Sequence, residues 1–348
     1  MSARVSVLLN SYIHRQFVWD ALGSVVGQDS ARPVDIVILS PDPRFEVPES
    51  LLRSAAERSH EVRVVRIPAG PAGLGLKAGG LAARGSLLAI LDDDDLWEPG
   101  KLRWIESVAA QVPEVAFLHN SQTFVDRRNR PLSVLNPHRL VRHPSSLSRS
   151  GHEYTVDTRD GRSIERGMAF APDFNNSSCV IDRSTLLDSP VLERVSRGED
   201  SFLFYTALLT GRPMALTSDR LTRYRLHRAA STTGQSPVAP GSGILPGYVA
   251  YVDDHIEVMR QILGHLPSGA LDETREWLAH EVAFWSILRG IATGQMRDMG
   301  GAARIRELLG TGRVRLRSRE IYVGLLGVSG IAAPVLTLAS FRAWRLAW

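Results

Sequence analysis

Between Val5 and Leu118, short apolar runs alternate with stretches of helical periodicity, and this alternation restricts the fold more than any other feature of the chain. Val5–Leu9, Val34–Leu39, Val62–Ile67, Leu87–Leu91 and Val115–Leu118 read as strands. Between them Phe17–Val26, Glu49–Arg58, Gly75–Ala83 and Gly100–Gln111 read as helices, the last with Pro99 near its first turn. Strands alternating with helices of this size predict βαβ units: an α/β fold whose mostly parallel sheet carries helices on both faces.

The pattern weakens from about residue 126 to 170, where Arg127-Arg128-Asn129-Arg130-Pro131 reads as a hairpin turn and His138–Asp160 as polar loop. Ser177–Ile181 and Pro213–Thr217 are strand candidates flanking a helix over Glu199–Thr210. Gly234–Gly247 is a linker by composition, and Tyr248–Leu266, Asp272–Gly294 and Ala302–Leu309 read as helices. The expected organisation is an α/β domain over 1–233, a linker over 234–247, a helical region over 248–310 and a basic, hydrophobic tail over 311–348. A length of 348 residues suits two domains, or one large domain with an appendage.

Composition excludes several classes of function. The single cysteine, Cys179, rules out an intrachain disulfide and a multi-cysteine metal centre; it lies in an apolar run, as a buried inert thiol would. Lys plus Arg number 41 against 37 Asp plus Glu, and a net +4 spread over this length does not argue for nucleic acid. The apolar run near the N-terminus is too short for a signal peptide, so a reducing, cytoplasmic setting is expected.

The chemistry concentrates in Asp92-Asp93-Asp94-Asp95-Leu96-Trp97-Glu98-Pro99, which follows the strand Leu87–Leu91. Ligands of open α/β sheets bind at the carboxyl edge of the strands, where these four aspartates fall. Continued extended geometry would point Asp92 and Asp94 to one side. Carboxylates that close raise each other's pKa unless a cation lies between them, and oxygen-only ligands suit Mg²⁺ or Mn²⁺. The plainer reading is a solvated acidic turn capping the helix that follows Pro99. Other residues have ordinary readings. Glu199-Asp200 could be N-terminal dipole partners, His119-Asn120 structural hydrogen-bonders, and Asn175-Asn176-Ser177-Ser178 a turn.

Four segments together resemble a known family. Val5-Ser-Val-Leu-Leu-Asn-Ser-Tyr12 with Ala21–Gln28, Leu91–Trp97 with Pro99 and Lys101-Leu102, Gly198-Glu199-Asp200, and Tyr224-Arg225-Leu226-His227 occur in the order and at the separations of family 2 glycosyltransferases of the GT-A fold. The resemblance covers about residues 3–232. It implies an inverting transfer of sugar from a nucleoside-diphosphate donor to an acceptor hydroxyl. In that scheme Asp94 binds the metal (Mn²⁺ or Mg²⁺), with His227 as a weaker metal or diphosphate ligand, and Asp200 is the general base. Ser11, Tyr12, Asp92 and Asp93 would contact the nucleotide sugar. The chain departs from the family at two places: Ser40-Pro41-Asp42 stands where an aspartate usually reads the base, making Ser40 and Asp42 the candidates there. Gly73-Leu-Gly-Leu-Lys77 stands where an Arg-Asn pair is usual, making Lys77 the candidate diphosphate contact.

The tail adds a second theme. Seven arginines lie between Arg297 and Arg319, followed by the uncharged stretch Ile321–Phe341 and a terminal segment bearing Trp344 and Trp348. Such a segment could span a bilayer, lie at the cytoplasmic interface or pack as a buried helix pair. The membrane readings would suit a lipid-linked acceptor; a glycan acceptor is the alternative. A sugar-1-phosphate nucleotidyltransferase and a catalytically inactive, membrane-docked relative are the competing functions. The first lacks a Gly-rich, Arg-Lys-bearing loop at Asn10–Gln16, and the second is opposed by the retention of Asp92, Asp94 and Asp200.

Overall fold

The structure, a computed structural model, describes residues 5–11, 16–132, 153–158, 163–164, 172, 175–227, 238–239, 243–244 and 246–264, and six single positions between 275 and 289. The chain forms two compact units, residues 1–131 with 145–225, and residues 132–144 with 226–348.

The first unit is built on a nine-stranded sheet. Its opening half is β1 (Val5–Asn10), β2 (Asp35–Ser40), β3 (Glu61–Arg66) and β4 (Leu87–Asp92), all parallel, in the spatial order β3-β2-β1-β4. The connections are α1 (Val18–Val26), α2 (Glu49–Glu57) and α3 (Ala72–Ala82). β1 and β2 are buried at every position, the result of packing a parallel sheet between two helical layers. Leu22 and Val25 of α1 and Leu102 and Ile105 of the later helix α4 (Lys101–Gln111) share a core with Leu9, Ile38 and Leu91 of the strands. The opposite layer is thin because α3 is rich in glycine. A Cβ at Gly73 would fall 1.7 Å from the Leu192 carbonyl oxygen, so the close seating of this helix requires the missing side chain.

The second half mixes directions. β5 (Leu96–Trp97), β6 (Phe117–Val125), β7 (Glu153–Val156), β8 (Cys179–Asp182) and β9 (Met214–Arg225) extend the sheet as β4-β8-β6-β9-β5, with β7 also on β9. β8 runs antiparallel to both neighbours, and β5 and β7 antiparallel to β9, while β6 and β9 are parallel. Six strands therefore share one direction and three are reversed, the mostly parallel sheet that the alternation of runs predicts. Two short helices, α5 (Arg183–Leu187) and α6 (Glu199–Leu208), pack against β8 and each other.

Several elements exceed the sequence expectation. β6 continues to Val125 and β9 to Arg225, far beyond the predicted Leu118 and Thr217. Their distal halves are polar, with Thr222 and Arg225 turned inward, so no apolar run marks them. Residues 153–156, expected as loop, form β7 and pair with Met214–Thr217.

The second unit contains a two-stranded pairing, β10 (Val238–Ala239) with β11 (Gly243–Ile244), inside the predicted linker. It continues with helix α7 (Pro246–Gly264), whose Val252, Ile256, Met259 and Ile262 are buried. The six described positions within the next predicted helix, 272–294, are helical. Ala302–Leu309 and the basic, apolar tail lie outside the described residues. Among the described residues no helix is long and apolar enough to cross a membrane.

Candidate active site

β4 is a central strand, between β1 and β8, and it ends at Asp92. The chain then turns: the Asp95 N–H donates to the Asp92 carbonyl at 3.3 Å, and Leu96–Trp97 run back against Thr222 and Arg223 of β9. The four aspartates thus stand on a turn at the carboxyl edge of the sheet, not on an extended strand as the pleat argument expected. The consequence for exposure is similar, since Asp92 and Asp94 are half-buried while Asp93 and Asp95 are buried.

Asp92 is fixed from two sides. Register places Asn10 of β1 beside it, and Asn10 Nδ2 donates to Asp92 Oδ1 at 2.9 Å. On the other side, the Asp92 N–H donates to Ser177 Oγ at 3.1 Å and the Asn176 side chain bonds its carboxylate. The segment Asn175–Ser177 also reaches Asp200. Asp200 sits in the first turn of α6, which begins after Gly198 in the left-handed region (φ 72°), and Asp200 Oδ2 accepts the Asn175 N–H at 2.8 Å. Asn175 itself has φ 69°, a conformation asparagine tolerates, and its Oδ1 caps Ser177 N–H at 2.8 Å. This short segment, expected only as a turn, is the bridge between the acidic turn and α6.

The cluster is electrostatically tense. Burial pushes the Asp92 carboxyl up to about 6, opposed by the Asn10 bond and reinforced by Asp93 and Asp200. Asp94 is raised well above the usual range by burial, then by Asp92 and Asp93. Glu199 is pushed up to about 8 by burial, with Asp92 and Asp200 adding to it. Carboxylates that raise one another's pKa in this way mark a candidate site for a cation or for proton transfer. Among the described residues no three His, Cys, Asp or Glu side chains form a metal-holding group.

Two buried cations brace the turn, and neither was assigned a role from sequence. Arg225, at the end of β9, donates from Nε to the Asp94 carbonyl at 2.8 Å and from Nη1 to the Arg127 carbonyl at 3.1 Å. Its own N–H is accepted by Asp95 Oδ1 at 2.8 Å, and its guanidinium stands over the Phe17 ring, 4.2 Å from the centroid. Lys101, fully buried at the start of α4, donates to the Ser177 carbonyl at 2.5 Å. Both residues lie inside segments that resemble the family, but nothing in sequence says a basic side chain there turns inward.

The other candidates fall as follows. Ser11 and Ser40 are buried at the carboxyl ends of adjacent strands β1 and β2, on the same edge as Asp92; the Ser11 N–H donates to the Leu39 carbonyl at 2.8 Å. Asp42 follows in a loop where its Oδ1 accepts the Arg44 N–H at 2.9 Å. Lys77 lies on α3 and its ammonium is ion-paired with Glu193. Tyr12 lies outside the described residues, and His227 belongs to the second unit.

Comparison with known proteins gives the chain's family and fold. The chain matches the family described as glycosyltransferase like family 2 over residues 3–236, and so belongs to that family and is a transferase. An uncharacterized glycosyltransferase of Nostoc sp. is 24% identical over 253 residues, spanning 69% of this chain and 72% of the relative. The fold is shared with Staphylococcus aureus TarS 1–349 (TM-score 0.56, 14% identity, 99% of this chain and 89% of that one). It is shared also with the mannosyltransferase PcManGT from Pyrobaculum calidifontis, solved with GDP-Man and Mn²⁺ (TM-score 0.50, 14% identity, 97% and 88%). These are GT-A glycosyltransferases, and the GT-A fold expected from the sequence resemblance is the fold observed.

Proposed function

We propose that this chain transfers a sugar from a nucleoside-diphosphate donor to an acceptor hydroxyl in one inverting displacement, with Asp200 as general base. The observation that carries this reading is the common tether of Asp92 and Asp200: both are bonded to the Asn175–Ser177 segment, so one short stretch of chain supports the carboxylates of the donor side and the base side. Displacement at an anomeric carbon needs a carboxylate within hydrogen-bond reach of the attacking oxygen, which contributes about 10²–10⁴-fold. Asp200, held at the open edge of the sheet, suits that task, and a single base opposite the leaving group gives inversion.

Asp94, with Asp92 beside it, would hold Mn²⁺ or Mg²⁺. The donor set suits such an ion because it is all oxygen and its carboxylates raise one another's pKa, and an ion of this kind takes further positions from diphosphate and water. When bound, the ion stabilises the charge that develops on the departing diphosphate. The GDP-Man and Mn²⁺ held by PcManGT support this choice of donor class and metal. Ser11, Ser40, Asp42 and Asp93 would line the nucleotide side, with Tyr12, Lys77 and His227 as further contacts. For the acceptor, a lipid-linked saccharide presented at a membrane surface suits the arginine-rich, apolar tail; flotation with anionic liposomes of the full chain and of a chain stopped at Arg297 tests it.

The decisive experiment is transfer or hydrolysis from a panel of UDP- and GDP-sugars with Mn²⁺. Asp94→Asn should lose metal-dependent donor binding, and Asp200→Asn should keep donor binding and lose transfer. A fully active Asp200→Asn would refute the base assignment.

A further inference from the structure

We propose that Lys101 is a positioning residue of the transfer site, its buried ammonium anchoring the Asn175–Ser177 backbone that holds both Asp92 and Asp200. The inference rests on the function proposed above. Three donors converge on one oxygen, the Ser177 carbonyl: Lys101 Nζ at 2.5 Å, Trp97 Nε1 at 2.9 Å and Thr222 Oγ1 at 3.1 Å. A carbonyl offers two lone pairs, so three donors, one of them cationic, fix its direction closely. Lys101 Nζ also lies 3.1 Å from Thr222 Oγ1 and 4.5 Å from the centroid of the Trp97 ring. Thr222 Oγ1 in turn accepts Asn120 Nδ2 at 2.9 Å. The anchor is therefore drawn from α4, β5, β6 and β9 at once.

An ammonium with no solvent exposure is a costly way to fill a core. The cost is visible, since burial pulls Lys101 down to about 7 despite the favourable fields of Cys179 and Asp95. An apolar side chain of the same length would pack on Trp97 without that cost. What the ammonium supplies is orientation of the Ser177 peptide. The residues bonded to that peptide are the working ones: Ser177 Oγ receives the Asp92 N–H, Asn176 bonds the Asp92 carboxylate, and the Asn175 N–H supports Asp200 Oδ2. Asp92 keeps a second support in Asn10, so releasing the anchor should disturb the base side more than the donor side.

The test uses the full chain with Lys101→Met, which keeps the stem and removes the charge, and the milder pair Thr222→Val and Thr222→Ser. Amide hydrogen exchange is read over residues 175–182 and over β1 to β4. Dissociation constants are measured for UDP and GDP with Mn²⁺, and kcat for the sugar nucleotide that the wild type turns over. Lys101→Met should accelerate exchange in 175–182, and at the Asp92 amide that Ser177 holds, about tenfold, with β1 to β3 unchanged. Its kcat should fall more than tenfold while nucleotide affinity moves less than threefold. Thr222→Val should go the same way by a smaller factor, and Thr222→Ser should match the wild type. Unchanged exchange over 175–182, uniform acceleration across the sheet, or equal losses in kcat and affinity would overturn the proposal. If Lys101→Met does not fold, the Thr222 pair decides alone. The exchange readout needs no turnover: an inactive wild type with a local exchange change in the variants would defeat the proposed function and leave the anchor standing.

Discussion

The backbone N–H of Asn175 lies 2.8 Å from Asp200 Oδ2, and through this bond the segment leading into β8 meets the first turn of α6. The bond depends on a backbone held at φ 69°, which asparagine adopts at modest cost and a β-branched residue does not. Asn175→Val is expected to destabilise the protein by about 1–3 kcal/mol from strain and to lower kcat with it. Asn175→Gly keeps the conformation but loses the Oδ1 cap on Ser177, and should retain more activity than the valine variant. Urea unfolding beside steady-state kinetics checks the order.

The two carboxylates with assigned roles should separate kinetically. Asp200→Asn retains the shape and the Asn175 bond while removing the proton acceptor, so kcat should drop by about 10²–10⁴-fold with nucleotide affinity preserved. Asp94→Asn should weaken UDP or GDP binding in Mn²⁺ and leave binding in EDTA unchanged. Calorimetric titration with and without the metal distinguishes the two variants.

Arg225 braces the acidic turn from beneath. Arg225→Met would leave the half-buried Asp94 carbonyl and the Arg127 carbonyl without this donor, at about 1 kcal/mol for each bond lost. Lysine cannot reproduce the fork that reaches Asp94, Arg127 and Asp20 together, so Arg225→Lys should recover only part of the loss. Loss of stability should be accompanied by weaker metal-dependent nucleotide binding, because the turn carrying Asp94 is what moves. Stability lost with nucleotide affinity intact would show that the brace does not reach the site.

The sequence disclosed the parallel half of the sheet and the acidic turn for one physical reason: strands buried on both faces must be continuous apolar runs, and a cluster of aspartates after such a run stands out. β7 and the distal half of β6 escaped because each buries a lone valine, Val156 and Val125, too little for an apolar run, and the distal half of β9 because its buried residues Thr222 and Arg225 are polar and satisfied by tertiary partners. The same cause hid the Asn175–Ser177 bridge. Much of its importance lies in backbone groups that meet Asp200, Trp97 and Lys101 across long separations, and backbone groups leave no mark on a sequence. Lys77 illustrates the reverse case: a basic residue conspicuous in sequence proves to be engaged by Glu193, a partner 116 positions away.

Glu199 gives a pH dependence of definite sign. Its carboxyl is pushed from 4.5 up to about 8, chiefly by burial, so across that range the folded chain holds a proton that the unfolded chain has released. Folding stability from this group is therefore fully present below about pH 4.5 and declines as pH rises toward 8. At about 1.4 kcal/mol per pH unit the full shift would cost near 5 kcal/mol; Glu199 is only half-buried, and screening reduces that to about 2 kcal/mol. Glu199→Gln, which mimics the protonated acid, should match the wild type in urea unfolding at pH 4.5 and exceed it by about this amount at pH 8.5, in EDTA throughout. Parallel stability curves for the two proteins would mean that Glu199 ionises freely in the folded state, and the acidic cleft would then be far more hydrated than its packing indicates.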